Sequence, residues 1–155
     1  MGADEGTCNG PAGAERIVHL AAGSYSLRGL TLAQHASLEG AGEGKTVLEG
    51  TVTGLRDGAL LSSLTVTGGS VGIAIGNDSP EIRQVTIERV PDVGLRCYRS
   101  SASFVRSTIQ ECTAGVQWNL GAPAFTDSTI RRNTGAGLDL TGTSGVLESC
   151  VFSEN

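Results

Sequence analysis

The chain has 155 residues, the length of one ordinary domain. Its formal net charge of −5 argues against a nucleic-acid partner, a role that shows as a basic patch or stripe. Aromatics are only 4% while glycine supplies 23 residues, so the core must be built from closely packed small aliphatics rather than large rings. No apolar run approaches the about 20 residues that span a bilayer, and membrane insertion is not expected.

The chain opens with MGADEGTCNG, acidic and polar, without the apolar segment of a signal peptide. Residues 1–16 are expected to form an N-terminal extension or partial cap. A secreted or cell-surface module of a longer protein is the expected setting. From Ile17 the pattern changes to short apolar stretches. His19 lies between Val18 and Leu20 and is expected to point outward.

From Leu61 onward the text repeats. STIQECTAGVQW begins at Ser107 and STIRRNTGAGLDL at Ser128. Leu61, Ile82, Phe104, Phe125 and Leu147 form one apolar column, and Val66, Ile87, Ile109, Ile130 and Phe152 a second. Both are spaced 21, 22, 21 and 22 residues. Gly72, Gly94, Gly115 and Gly137 mark a third position, each followed by an apolar pair: Ile73 and Ile75, Leu95 and Cys97, Val116 and Trp118, Leu138 and Leu140. A fixed period marks a repeat architecture. The apolar runs are too short and interrupted for helices, and their alternation reads as short strands. At about 3.3 Å per residue one repeat traces a contour of about 70 Å, which suits a three-sided coil. One coil cannot bury its own inward residues, but stacking coils gives a continuous core and pairs the strands in parallel. Gly94 and Gly115 are expected at tight corners with φ > 0.

The stretch IVHLAAGSYSLRGLTLAQHASLEGAGEGKTVLEG runs from Ile17 to Gly50. Leu20, Gly23 and Tyr25 fit an apolar-x-Leu-x-x-Gly-x-Tyr start. Leu38, Gly40, Gly42, Thr46, Val47, Leu48 and Gly50 fit the continuation Leu-x-Gly-x-Gly-x-x-x-Thr-Val-Leu-x-Gly. With the repeats that follow, the pattern resembles the right-handed parallel β-helix repeat family of the pectate-lyase-like superfamily. The resemblance implies an all-β fold: a single-stranded right-handed parallel β-helix, or β-solenoid, of about six or seven coils over residues 17–155. It does not fix the chemistry.

Enzymes of that superfamily cleave acidic polysaccharides with aspartates that hold calcium and an arginine base, or with paired carboxylates. No aspartates cluster at consecutive coil positions here. The N-x-D, D-D, G-H-G and R-x-K motifs of the hydrolase branch are absent from the sequence. Turns of near-constant length leave no loop for a cleft. A non-catalytic module is therefore expected, with no catalytic residues, no metal ligands and no cofactor.

The outward column between the inward pairs reads Ala74, Arg96, Gln117 and Asp139, with Tyr98, Asn119 and Thr141 beside it. Arg96, Tyr98, Gln117, Asn119 and Asp139 are the candidate ligand-binding residues, because arginine, amide and carboxylate beside a tyrosine ring suit a sugar. A solvated face with polar ladders between coils is the alternative. Thr65, Thr86, Thr108 and Thr129 form a column of the kind that binds ice, but the next column is charged, and threonine is a good strand residue anyway. Trp118 is expected in the core, and Gly76 to Pro80 in a tight turn.

Cys97 falls in an inward column and is expected to be apolar filler. Cys112 aligns with Asn133 and Asn155, and Cys150 with Val85, Ser107 and Ser128, at different corners. Free thiols are expected there, since a disulfide needs Cα atoms within about 7 Å. Cys8 is left open. The final GVLESCVFSEN is half of another repeat, and no C-terminal cap is seen. Solenoids need capping repeats, so the coil with Cys150 and Phe152 is the expected assembly end, with another copy of the chain as partner. Three functions follow in order: a structural or surface solenoid module that associates end to end, a polysaccharide-binding module using the Arg96 face, and a fragment of a polysaccharide lyase or hydrolase.

Overall fold

The computed structural model describes residues 16–28 and 30–155. The expected extension over 1–16, apart from Arg16, and Cys8 lie outside the described residues. The early coils hold β1 (Arg16–His19), β2 (Gly23–Ser26), β3 (Ala36–Glu39) and β4 (Thr46–Glu49). Then come β5 (Leu60–Thr67), β6 (Val71–Gly76), β7 (Glu81–Glu88) and β8 (Val93–Ser100). The next coils hold β9 (Ser103–Val105), β10 (Thr108–Gln110), β11 (Ala114–Gly121), β12 (Ala124–Thr126), β13 (Thr129–Arg131) and β14 (Leu138–Thr143). β15 (Val146–Glu148) and β16 (Val151–Ser153) complete the described chain. There is no helix among them.

All strand pairings are parallel. One ladder runs β1-β3-β5-β7-β10-β13-β16, with β9-β12-β15 beside its later steps, and a separate sheet runs β6-β8-β11-β14. Register keeps like on like. Ile109 lies opposite Ile87 and Ile130, and Phe104 opposite Ile82 and Phe125. This is the β-solenoid expected from the period, with six steps along the longest ladder.

The core is the set of inward columns. Phe104 and Phe125 stack with ring centroids 4.9 Å apart, and Trp118 meets them edge-on at 6.1 and 5.9 Å. All three are buried. The rest of the buried core is aliphatic apart from Cys97 and Cys112, each large buried side chain contributing about 1.5–3 kcal/mol.

The glycine column has a different cause from the one expected. Gly72, Gly94, Gly115 and Gly137 do not have positive φ. They are required by contact: a Cβ on Gly115 would lie 2.3 Å from the Gly137 carbonyl oxygen, and one on Gly72 2.5 Å from that of Gly94. Successive coils approach there backbone to backbone. The left-handed corners are instead built mainly from other residues. Ser63, Gln84, Arg106, Asp127 and Ser149 hold φ of 49–57° at one corner. Arg89, Glu111, Arg132 and Glu154 hold 52–57° at another. Each costs about 1–2 kcal/mol for a residue with a Cβ, and the parallel ladders on both sides impose it. β5 and β7 bend through such a corner unbroken; later coils split there into separate strands.

Two corners carry side-chain ladders between coils. The Asn133 Oδ1 accepts from the Cys112 N–H at 3.0 Å, and its Nδ2 donates to Asn155 Oδ1 at 2.8 Å. In the other, the Val85 N–H donates to Ser107 Oγ at 3.3 Å and the Ser107 N–H to Ser128 Oγ at 3.2 Å. These satisfy backbone groups that the strands leave open where the chain turns. The columns that hold Cys112 and Cys150 are therefore hydrogen-bonded corners, in the alignment read from the sequence.

Candidate functional site

The sheet β6-β8-β11-β14 presents the outward column to solvent. Arg96 lies opposite Ala74 and Gln117, and Gln117 opposite Asp139; Tyr98 lies opposite Gly76 and Asn119, and Asn119 opposite Thr141. All five sequence candidates therefore share one face. Strand alternation explains this: Leu95, Cys97, Val116 and Trp118 point into the core, so the residues between them point out.

The face is not uniform. Toward its N-terminal end it dips into an open groove of about 400 Å³, lined by Thr31, Thr53, Arg56, Asp78, Arg96 and Tyr98, among others. Of the candidates only Arg96 and Tyr98 reach it. Gln117 stands next to it, accepting from Arg96 Nε at 3.4 Å, while Asn119 and Asp139 lie further along the sheet and do not line it. Thr31, Thr53 and Arg56 were not singled out from the sequence, and Asp78 was read there only as part of a tight turn that could touch a cation. The outward column extends back from Ala74 through Thr53 to Thr31, spaced 21 and 22 residues, and the bridges Thr31–Thr53 and Val52–Ile73 carry that register. The period held the signal, but the irregular apolar text between Leu30 and Gly58 hides it.

Polar contacts hold the groove's walls. Arg56 Nη1 lies 3.3 Å from Asp78 Oδ2, and Arg96 Nη2 lies 3.4 Å from Asp92 Oδ2. The Thr31 and Thr53 hydroxyls are 3.1 Å apart. Ser100 Oγ donates to the Asp78 carbonyl at 2.6 Å, and the Ser79 N–H donates to Asp57 Oδ1 at 2.6 Å, so the Gly76–Pro80 turn is pinned to its neighbours. The Arg99 guanidinium sits 5.3 Å from the Tyr98 ring centroid, a cation–π distance. Tyr98 remains 47% exposed, so its ring is presented rather than packed. Among the described residues that line it, the groove has two guanidiniums, hydroxyls, an aromatic ring and one carboxylate, Asp78.

The threonine column is not a free flat face. The turn from Gly40 to Lys45 lies across it: the Gly44 N–H donates to Thr65 Oγ1 at 2.9 Å, and Thr86 Oγ1 donates to Glu43 Oε1 at 2.9 Å. Thr65 is buried. That turn departs from the constant turn length expected, and gives Glu43 a role its spacing did not show. His19 is exposed, as expected, with Nδ1 3.6 Å from Glu39 Oε2.

Cys97, Cys112 and Cys150 are free thiols. Burial pushes the Cys97 thiol far above its usual range. Burial also raises Cys112, opposed by a hydrogen bond from the Val90 amide. Cys150 is half-buried, with Sγ 3.4 Å from the carbonyls of Phe125 and Glu148. Thiolate is the reactive form. Iodoacetamide applied to the folded protein is therefore expected to label Cys150 well before Cys97 or Cys112, as mapped by peptide mass spectrometry. Equal labelling of Cys97 would contradict the packing described above.

No three His, Cys, Asp or Glu side chains group as metal ligands among the described residues. No helix among them is long and apolar enough to cross a membrane. The family described as right handed beta helix region matches residues 49–155. No curated protein and no solved structure gives a significant match to the chain.

Proposed function

Because the chain belongs to the right-handed β-helix family, we propose that it is a binding module that takes a carbohydrate in the groove on the β6-β8-β11-β14 face. The observation that carries this reading is the exposed Tyr98 ring beside the Arg56 and Arg96 guanidiniums and the Thr31 and Thr53 hydroxyls. A sugar presents an apolar C–H face and a rim of hydroxyls. The ring offers a platform for the first, and planar guanidiniums with fixed hydroxyls offer partners for the second. The groove is open and shallow, and the solenoid runs on past it through Gln117 and Asn119. That shape suits a chain laid along the sheet rather than a small molecule enclosed on all sides.

The binding role is favoured over hydrolysis because Asp78, the one carboxylate among the described residues that line the groove, is already engaged by Arg56. Tyr98→Ala is expected to weaken binding of the best glycan on an array about tenfold, a loss of about 1.4 kcal/mol. Arg96→Ala should reduce the same signal, and Asp139→Ala, outside the groove, should leave it unchanged. The decisive measurement is titration calorimetry with that glycan. Equal affinity for the parent and Tyr98→Ala proteins would remove the groove as the site. Release of reducing ends or unsaturated products from the bound glycan would replace binding by catalysis.

A further inference from the structure

We propose that the carbohydrate taken in the groove is an O-acetylated one, its acetyl group seated on Leu120 and Arg99 beside the Tyr98 ring. The inference rests on the binding reading of that groove and names the class of its ligand. It starts from a break in strand alternation. Arg96 and Tyr98 point outward from β8 and Cys97 points inward, so Arg99 is due to point into the core. It is exposed instead: Arg99 holds φ of 50°, and this left-handed step turns its side chain out beside Tyr98. Asn77, Leu120 and Gly142 stand at the same position of their coils, with φ of 59, 65 and 63°. Asn77, Arg99 and Leu120 are all exposed, and they form a third outward column next to the two that alternation supplies.

Leu120 has a seat of its own in this column. A Cβ on Gly142 would lie 2.7 Å from Leu120 Cδ2, so the glycine leaves the room that the leucine fills. Leu120 stays 39% exposed and Tyr98 47%. The strands that carry them, β8 and β11, are each paired on both sides, so these two side chains are uncovered within finished coils. Tyr98 lies opposite Asn119, and Leu120 is the next residue, which makes ring and leucine neighbours across one coil step. The Arg99 guanidinium stands 5.3 Å from the ring centroid. No ion pair or hydrogen bond to another described residue engages its side chain.

This ledge does not suit a bare sugar. A hydroxyl set against Leu120 sheds water and gains no partner, which costs free energy. Arg99 offers donors only. Together they call for a group with a small apolar end and an acceptor. An acetyl ester is such a group: its methyl covers Leu120 and the edge of the Tyr98 ring, and its carbonyl oxygen accepts from the Arg99 guanidinium. A carboxylate would satisfy Arg99 but set a charge against Leu120.

The test is a glycan array on which each O-acetylated polysaccharide is printed beside the same preparation after mild alkali, which removes the acetyl esters. Calorimetry with the best pair then gives the ratio of affinities. The parent protein is expected to bind the acetylated member about tenfold more tightly, the worth of one covered methyl and one hydrogen bond. Leu120→Asn introduces a residue that tolerates the left-handed backbone. It should bring the ratio close to one and leave the affinity for the deacetylated glycan unchanged. Arg99→Ala should lower the ratio as well. Equal binding of the two members by the parent protein overturns the proposal and leaves the groove as a carbohydrate site. So does a Leu120→Asn protein that loses affinity for both members alike, because the leucine would then serve the fold or the sugar ring. Binding of no glycan on the array removes the binding reading and this inference with it.

Discussion

Trp118→Ala is expected to lower the free energy of unfolding by about 3–5 kcal/mol, the cost of a large buried aromatic truncated to alanine. Trp118 points inward from β11, lies edge-on to Phe104 and Phe125, and donates from Nε1 to the Ser100 carbonyl at 3.2 Å. Its neighbours in the column, Cys97 and Leu140, are held in place by the parallel ladder. The coils cannot close over the space, because their separation is fixed by the strand hydrogen bonds at about 4.8 Å. The cavity term therefore adds in full to the lost transfer term. Trp118→Phe keeps a ring, loses the Ser100 bond and should cost clearly less. Urea unfolding followed by circular dichroism measures both, with stability read from the midpoint at constant slope. A loss under about 1 kcal/mol for Trp118→Ala would mean that the aromatic cluster does not anchor the core.

The position of Trp118 was legible because it rests on period alone. An inward column needs only a spacing that matches one coil, and the columns through Phe104 and Ile109 supply it. Burial of Cys97 followed from the same register. The glycine column was located correctly and explained wrongly. Sequence shows where a side chain is missing, but not whether a dihedral or a neighbour forbids it. At Gly115 the neighbour decides, since the next coil's carbonyl occupies the space of a Cβ. The corners with positive φ went unseen because arginine, serine and glutamate carry no local sign of it; the ladders around Arg106 and Glu111 impose that backbone from outside.

The candidate site was half legible for a related reason. Arg96 and Tyr98 sit in the regular part of the chain, where alternation fixes the outward face. Arg56 and Asp78 lie in turns, where no alternation exists to place a side chain. They meet because the turns stack one coil apart, 22 residues in sequence. Turn residues can be paired from sequence only once the exact coil length is known at that step. The Gly40–Lys45 turn changes that length just before them.

Asn133→Ala is expected to cost about 2–4 kcal/mol, a hydrogen-bond loss compounded by a buried donor left without a partner. Asn133 is buried. Its Oδ1 takes the Cys112 N–H, and its Nδ2 and backbone N–H both engage Asn155 Oδ1, at 2.8 and 3.3 Å. Asn155 in turn donates to the Ile130 carbonyl at 3.0 Å. Alanine removes the acceptor, strands the Cys112 amide in the interior and uncouples the two coils at that corner. One step back, Cys112 occupies the asparagine position and accepts the Val90 amide through sulfur, a weak acceptor. Cys112→Asn would extend the ladder, giving Val90 an amide oxygen and Asn133 Oδ1 a second donor. It is expected to be neutral or to stabilise by up to about 1 kcal/mol, the net value of one better hydrogen bond. Opposite signs for the two variants in the same urea series would establish that the ladder holds the coils in register. A neutral Asn133→Ala would assign that work to the strands alone.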